Sequence, residues 1–120
     1  MAKAAKLVAV RGKRKILLVW HSKRHMWMLP GGKRKRGESA KQTLLRELSE
    51  ELSGAKVKRL RLYRRINKQR DTIYRAKVTG RLKPGREVTK VTYSAPWRLK
   101  CTPTTKLVCM ALVKDGYLKW

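Results

Sequence analysis

The most informative stretch of this chain, residues 32–54, reads GKRKRGESAKQTLLRELSEELSG. Its segment Ser39 to Gln42 has the Ser-x-x-Gln form of a helix capping box. Leucines then recur at helical spacing, at Leu44, Leu45, Leu48 and Leu52. The stretch therefore predicts a helix over about Ala40 to Leu52, stopped by Gly54.

The acidic residues of the chain are concentrated in this stretch. Only seven of the 120 residues are Asp or Glu, and four of these are Glu38, Glu47, Glu50 and Glu51. At about 100° per residue, the last three share a narrow stripe beside the leucine face. A solvated helix usually interleaves its charges, whereas Glu47 and Glu51 stand four apart and repel each other. The stripe therefore favours oxygen ligands for a hard divalent cation over a merely exposed acidic face.

These residues resemble the signature of the Nudix hydrolase family, Gly-x5-Glu-x7-Arg-Glu-U-x-Glu-Glu-x-Gly-U, where U is a bulky aliphatic residue. The positions in register are Gly32, Glu38, Arg46, Glu47, Leu48, Glu50 and Glu51. The preceding segment, Trp27 to Gly32, is similar to the family's approach to this box. Two positions depart, because Ser53 stands where the family has Gly, and Gly54 where it has an aliphatic residue. A left-handed Gly54 would still end the helix one residue late.

The resemblance implies hydrolysis of a pyrophosphate bond in a nucleoside diphosphate linked to another group, such as a nucleoside triphosphate, with Mg²⁺ or Mn²⁺ as cofactor. It implies that Glu47, Glu50 and Glu51 are metal ligands and that one of them orients or deprotonates the attacking water. Glu38 would join through an outer contact, and the carbonyl of Gly32 would be a further ligand. Arg46 would hold a glutamate by a charge-assisted hydrogen bond.

Other candidates lie outside the box. A general base in this family often comes from a later loop, and Glu87 is the first candidate, with Asp71 as a weaker one. Trp27 is a candidate for stacking on a nucleobase, although packing in the core explains it equally well. Lys33 and Arg34 follow the Gly-Gly turn and are candidates for contact with substrate phosphates, although charge runs are more often solvated.

The rest of the chain predicts further strands and one more helix. The strand candidates are Lys6 to Val10, Lys15 to Trp20, His25 to Leu29, Lys56 to Tyr63, Thr72 to Thr79 and Glu87 to Tyr93. Pro30-Gly31-Gly32 reads as a breaker, and the second helix is expected near the carboxyl end, with Thr104 or Thr105 as its cap and Gly116 past its end. The order predicts an α/β fold in which helices flank a mixed β-sheet. The resemblance makes this the Nudix-type α/β/α sandwich, with residues 1–120 as a single domain.

The charge of the chain is its second unusual property. Lys and Arg number 33 against seven acids, a net charge of +26, and they are spread along the whole sequence. Two explanations remain open: a natural polyanion binder, or a surface made cationic (supercharged) by deliberate replacement of exposed residues. Either one predicts nonspecific nucleic-acid binding at low salt. The alternative function is therefore a weakly catalytic or non-catalytic nucleic-acid-binding domain on a Nudix scaffold.

Composition also excludes several classes of protein. The apolar fraction, 42%, argues against disorder, and no apolar run reaches the length of a membrane span. Cys101 and Cys109 are too few and too close for a disulfide framework or a four-ligand zinc site. The amino end lacks the apolar stretch of a secretory signal, so a cytoplasmic protein is expected. The identity of the substrate and the oligomeric state stay open at this stage.

Overall fold

The computed structural model describes residues 3–120 and contains eight strands and two α-helices over that range. In chain order the elements are β1 (Ala4–Val8), β2 (Val10–Arg11), β3 (Lys15–His21), β4 (Met26–Met28), β5 (Gly31–Lys33), α1 (Ala40–Glu51), β6 (Leu52–Ile66), β7 (Asp71–Pro84), β8 (Val88–Ser94), a 3₁₀ turn (Pro96–Arg98) and α2 (Pro103–Lys114). Over the described range, no helix is long and apolar enough to cross a membrane.

The strands form two four-stranded sheets. The first has the order β5-β1-β7-β6, in which β1 and β7 are parallel and the other pairs are antiparallel. In the second, β8 runs along one edge of β3, while β2 and β4 pair with different parts of the other edge. The mixed-sheet α/β prediction is therefore confirmed.

Alternation along the central strands creates a core on each face of the sheets. Leu17 and Val19 of β3 pack with the leucines of α1, whereas Ile16 and Leu18 pack with α2. Successive side chains of a strand point to opposite faces, so each apolar run supplies both layers. The two helices therefore cover opposite faces, which gives the predicted α/β/α layering.

The two helices start at capping residues, one of which differs from the prediction. In α1 the capping box is confirmed, since Ser39 accepts a hydrogen bond from the Gln42 N–H and the Gln42 side chain accepts one from the Ser39 N–H. In α2 the cap is Thr102, followed by Pro103, rather than Thr104 or Thr105. A proline in the first turn needs no hydrogen-bond acceptor, so it favours this earlier start.

The end of α1 also differs from the prediction. The helix ends at Glu51 with Leu52 as its C-cap, and Gly54 lies inside β6 rather than at the helix stop. Its φ of 88° belongs to a strand irregularity between Ser53 and Ala55, where a Cβ would lie 2.4 Å from the carbonyl oxygen of Arg81. Gly54 therefore serves strand pairing and not helix termination.

Three strand predictions also needed correction. Gly31 and Gly32, expected to be part of the Pro30-Gly31-Gly32 breaker, instead begin β5. A Cβ on Gly31 would lie 2.1 Å from the carbonyl oxygen of Ala5, and its absence lets the strands pair. The strands β6 and β7 extend well beyond their predicted ends and pair with each other. The loop after β7 connects the two sheets, since β8 pairs with β3.

Candidate active site

The helix α1 and the strands β1 and β5 surround a cavity of ≈ 680 Å³. Two glutamates of α1, Glu47 and Glu51, line it from one side. The glycines of β5 and several basic side chains complete the wall, among them Lys6, Arg24, Lys33 and Arg86. The cavity therefore combines two carboxylates with a cationic rim, an arrangement suited to a cation and a phosphate group together.

Glu51 is the most buried acid at this cavity, with 8% of the residue exposed. Its Oε1 accepts a hydrogen bond of 2.9 Å from the Gly31 N–H. Burial raises the pKa of the Glu51 carboxyl to about 7, although that hydrogen bond and the positive charge of Lys6 oppose the rise. A cation bound beside Glu51 would relieve this cost of ionisation.

Glu47 lies against the backbone of β5. A Cβ built on Gly32 would lie 2.4 Å from Cδ of Glu47, so any side chain at position 32 would displace the carboxylate. On the other side, Nη1 of Arg46 donates a hydrogen bond of 2.8 Å to Oε1 of Glu47. The missing side chain of Gly32 and the guanidinium of Arg46 together fix the position of the carboxylate.

Arg46 connects four separate groups through one guanidinium. Its Nε and Nη2 donate to the two carboxylate oxygens of Glu38, at 2.6 and 3.0 Å, and Nη2 also donates to the carbonyl of Lys33 at 3.0 Å. The hydrogen bond from Arg46 is the main reason why the pKa of Glu38 falls to about 2. The same bond raises the pKa of Arg46. Glu38 and Arg46 thus act as a permanently charged pair that ties the loop before α1 to the helix.

Glu50 is placed differently from its two neighbours. Its Oε2 accepts from Nη1 of Arg86 and lies 3.4 Å from Nη1 of Arg46, and Glu50 does not line the cavity. Within residues 3–120, no three acidic, histidine or cysteine side chains converge as a metal-ligand cluster. The stripe predicted from the helical wheel is therefore divided: Glu47 and Glu51 face the cavity, and Glu50 pairs with arginines at its rim.

Glu87 approaches the cavity from the loop between β7 and β8. Its carboxylate lies 2.9 Å from Nε2 of His21 and 2.7 Å from Nζ of Lys23. The hydrogen bond from Lys23, followed by its charge, lowers the pKa of Glu87. Asp71, the weaker candidate base, lines an adjoining cavity, where its carboxylate accepts a hydrogen bond of 2.5 Å from Nδ2 of Asn67.

The three candidates for substrate contact lie in different places. Lys33 lines the cavity that holds Glu47 and Glu51. Arg34 lines a shallower depression, where its Nε donates to the backbone carbonyl of Glu38. Trp27 packs edge-to-face on Trp20, with ring centroids 5.6 Å apart, and contacts the core on the α2 side.

Sequence reasoning missed Lys6, Arg24 and Arg86. Lys6 lies on β1, and burial lowers its pKa while Glu51, Asp71 and Glu47 oppose the shift. In a chain with 33 basic residues, a lysine or arginine at a site is not distinguishable by type from one on the surface. The one available signal was the position of Lys6 between the apolar residues Ala5 and Leu7, both of which are buried in the fold.

The donor set at the cavity fits a divalent metal ion. Glu47 and Glu51 supply hard oxygen donors, and desolvation makes ionisation of Glu51 less favourable, so a positive charge beside it would favour the ionised carboxylate. Two carboxylates leave the remaining coordination positions to water and phosphate oxygens, which is typical of Mg²⁺ sites.

Comparison with protein families finds one match that spans most of the chain. The family model described as NUDIX domain matches residues 1–106. No curated protein sequence matches the chain significantly.

Several solved structures share the fold. A Nudix hydrolase family member from Chromobacterium violaceum aligns with a TM-score of 0.78 at 20% identity, covering 95% of this chain and 77% of that one. A MutT from a study of Aliivibrio salmonicida and Vibrio cholerae aligns at 0.75 and 15% identity, covering 95% and 98%. An ADP-ribose pyrophosphatase from Streptococcus suis aligns at 0.67 and 19% identity, covering 98% and 96%.

Proposed function

The chain belongs to the Nudix hydrolase family, and from this premise we propose that it hydrolyses a pyrophosphate bond in a nucleoside diphosphate linked to another group, with Mg²⁺ or Mn²⁺ as cofactor. Nudix hydrolases act on nucleotide substrates and generally use divalent metals. The observation that carries the proposal is the convergence of Glu47 and Glu51 on one cavity whose rim is cationic.

Glu47 and Glu51 are the proposed metal ligands. A bound Mg²⁺ or Mn²⁺ would neutralise charge on the phosphate oxygens and lower the pKa of a bound water. The chain supplies what this chemistry needs, because Gly32 leaves room for the Glu47 carboxylate and the Gly31 N–H holds one oxygen of Glu51. Gly32 also lines the cavity, and its backbone carbonyl is proposed as a further metal ligand.

The remaining box residues are proposed as positioning residues. Arg46 fixes Glu47 directly, and Glu38 fixes Arg46 by accepting two of its hydrogen bonds. Glu50 reaches the site through the same guanidinium and through Arg86. Because ligand geometry controls the position of the reacting phosphate, loss of these supports should lower the turnover number even though none of them faces the cavity.

The basic rim is the proposed binding surface for the substrate. Lys33, Arg24 and Arg86 line the cavity together with the carboxylates, and their charges attract the two phosphates of a pyrophosphate group. Because these basic residues and the two glutamates line the same cavity, the arrangement also favours a substrate that contacts both groups. The proposal therefore places the phosphates between the glutamates of α1 and this rim.

Glu87 is proposed to orient the attacking water rather than to act as a strong base. It lines the cavity, but the pairs with Lys23 and His21 lower its pKa and reduce its affinity for a proton. An ionised carboxylate in this place accepts a hydrogen bond from water and holds it near the phosphate.

The direct test is release of phosphate or nucleotide from a panel of substrates, with and without Mg²⁺. The panel contains nucleoside triphosphates, dinucleoside polyphosphates, ADP-ribose and other sugar nucleotides, and capped RNA. We expect hydrolysis of at least one member that depends on Mg²⁺ or Mn²⁺ and stops with a chelator. Hydrolysis that is unchanged by a chelator would contradict the proposed metal site, and no product from any member with either metal would contradict the proposed activity.

A further inference from the structure

A second cavity, of ≈ 460 Å³, shares no lining residue with the one that holds Glu47 and Glu51. It lies between β6, β7, the start of the β2–β3 hairpin and the ring of Tyr93 on β8. Its basic side chains are Arg11, Arg59, Arg61, Arg75 and Lys77. Among residues 3–120, no acidic residue is part of its lining. This surface, with the rings of Tyr93 and Tyr117, is called the arginine groove below.

Within the described part of the chain, the cations of the arginine groove have no acidic partners. Within residues 3–120, none of the five basic residues forms an ion pair. The acid nearest to Tyr117 in the sequence is Asp115, which follows α2. Its carboxylate instead accepts hydrogen bonds from the Tyr63 hydroxyl at 2.6 Å and from Nη2 of Arg64 at 2.8 Å. The positive charge of the groove is therefore not neutralised by any acid among the residues that the structure describes.

The pairing of β6 with β7 concentrates this charge further. Arg61 stands directly opposite Arg75 in the ladder, and Lys58 stands directly opposite Lys77. Like charges in directly opposed positions destabilise a sheet, since their side chains lie close together. An anion between them would turn this cost into a gain, so the paired cations point to an anionic ligand.

Two of the cations are stacked on aromatic rings. The guanidinium carbon of Arg11 lies 3.8 Å from the centroid of the Tyr93 ring, and that of Arg75 lies 3.6 Å from the centroid of the Tyr117 ring. Stacking holds each guanidinium as a flat plate with its N–H groups at the edge. Such plates bind unpaired nucleobases on their faces and phosphates at their edges.

We propose that the arginine groove binds single-stranded nucleic acid, with phosphates on Arg59, Arg61 and Lys77 and bases stacked at Arg11–Tyr93 and Arg75–Tyr117. A duplex covers the faces of its bases, so it could use the phosphate contacts but not the stacked plates. The arginine groove lies outside the cavity that holds Glu47 and Glu51. This proposal therefore stands whether or not the chain hydrolyses pyrophosphate.

Because the whole protein is cationic, the test needs a control with equal charge. The groove variant carries Arg59→Gln, Arg61→Gln and Lys77→Gln, which are all exposed positions. The control variant carries Lys41→Gln, Lys106→Gln and Lys114→Gln, which are exposed positions on the two helices. Both variants lose three positive charges. Their folding is compared with that of the wild type by circular dichroism.

Binding of a fluorescent oligouridine at near-physiological salt measures the effect. We expect the groove variant to bind about 10-fold more weakly or worse, and the control variant to bind within about 2-fold of the wild type. The single variant Arg61→Gln should show a smaller loss in the same direction, so the result does not depend on the triple variant. An equal loss in the two triple variants would overturn the proposal, since it would show diffuse attraction.

A second measurement tests stacking. A strand that carries 2-aminopurine should lose fluorescence when it binds the wild type, and Tyr117→Leu, which keeps every charge, should weaken both the quenching and the affinity. An RNA duplex and a DNA single strand of equal length serve as comparisons. Tighter binding of either single strand than of the duplex is expected. Duplex binding as tight as single-strand binding, with no quenching, would overturn the proposal.

Discussion

Two neighbouring glycines illustrate how differently single residues act at this site. Gly31 has a φ of 135°, and a Cβ there would lie 2.1 Å from a backbone oxygen of β1. At Gly32 the three atoms nearest to a Cβ all belong to the end of the Glu47 side chain, which can rotate away. The first glycine is therefore required by the fold, and the second by the position of one carboxylate.

This difference gives a prediction for Gly32→Ala. The substitution should displace the carboxylate of Glu47 and lower the turnover number at least about 10-fold, with the free energy of unfolding changed by less than about 1 kcal/mol. Steady-state kinetics and urea unfolding measure the two effects separately. Gly31→Ala is the matched control and should destabilise the fold strongly. Full activity in a folded Gly32→Ala variant would contradict the assigned role.

The raised pKa of Glu51 predicts how stability depends on pH. Its ordinary value is 4.5 and its value in the fold is about 7, so the folded state binds the proton more tightly than the unfolded chain. The contribution of Glu51 to the free energy of unfolding is therefore fully present below pH 4.5. About 3 kcal/mol of that free energy is lost as the pH rises through about 7. Without divalent metal, Glu51→Gln should remove this loss, so its stability relative to the wild type should rise between pH 5 and 8.

Urea unfolding at several pH values, in a chelator, measures this effect. Glu87→Gln is the control of opposite sign, because the pKa of Glu87 is lowered and its pairs with Lys23 and His21 stabilise the fold at pH values above its ordinary range. Adding Mg²⁺ at pH 8 should stabilise the wild type more than Glu51→Gln. A stability difference between Glu51→Gln and the wild type that does not change with pH would contradict the burial of an ionisable Glu51.

At the level of residues, the sequence predicted the acids of the box but not their division. The spacing of Glu47, Glu50 and Glu51 indicated one stripe, yet Arg86, one of the two arginine partners of Glu50, comes from the loop after β7, which the helical wheel does not include. Lys6 and Arg86 were also hidden, because their role depends on tertiary contacts and their type is common everywhere in this chain.

At the level of elements, α1 was predictable because its signals are local. The capping box, the leucine spacing and the start at Ala40 all follow from residues within one stretch. The strand β6 was not predictable in full, because three irregularities in its pairing with β7 change the usual alternation. Its half-buried apolar residues Val57, Leu60, Tyr63 and Ile66 consequently stand three apart, the first two packed on the α1 side and the last two on the α2 side. A spacing of two was expected from a regular strand.

The cap of α1 gives a prediction at this scale. Ser39→Ala removes the acceptor for the Gln42 N–H and should lower the free energy of unfolding by about 1 kcal/mol. Ser49→Ala is the control in the same helix, since its hydroxyl only donates to the carbonyl of Arg46 and alanine favours a helix interior. Urea denaturation of both variants tests this, and equal stabilities would contradict the role of the capping box.

At the level of the whole molecule, the net charge of +26 opposes folding. Like charges that are close together in the compact state separate when the chain unfolds, and salt screens their repulsion. We expect the free energy of unfolding to rise by on the order of 1 kcal/mol between low and moderate NaCl concentrations. Thermal unfolding across a salt series measures the effect, and a melting temperature that falls with added NaCl would contradict it.

Whether Glu47 and Glu51 hold the catalytic metal is decided by the turnover numbers of Glu47→Gln and Glu51→Gln on the best substrate, with saturating Mg²⁺. Both amides keep the size of the side chain but remove the charge that would hold the metal, so each should lower turnover about 100-fold or more. Asp115→Asn removes a carboxylate that pairs with Arg64, away from the cavity, and should leave turnover within about 2-fold. Wild-type turnover in both glutamine variants would contradict the account.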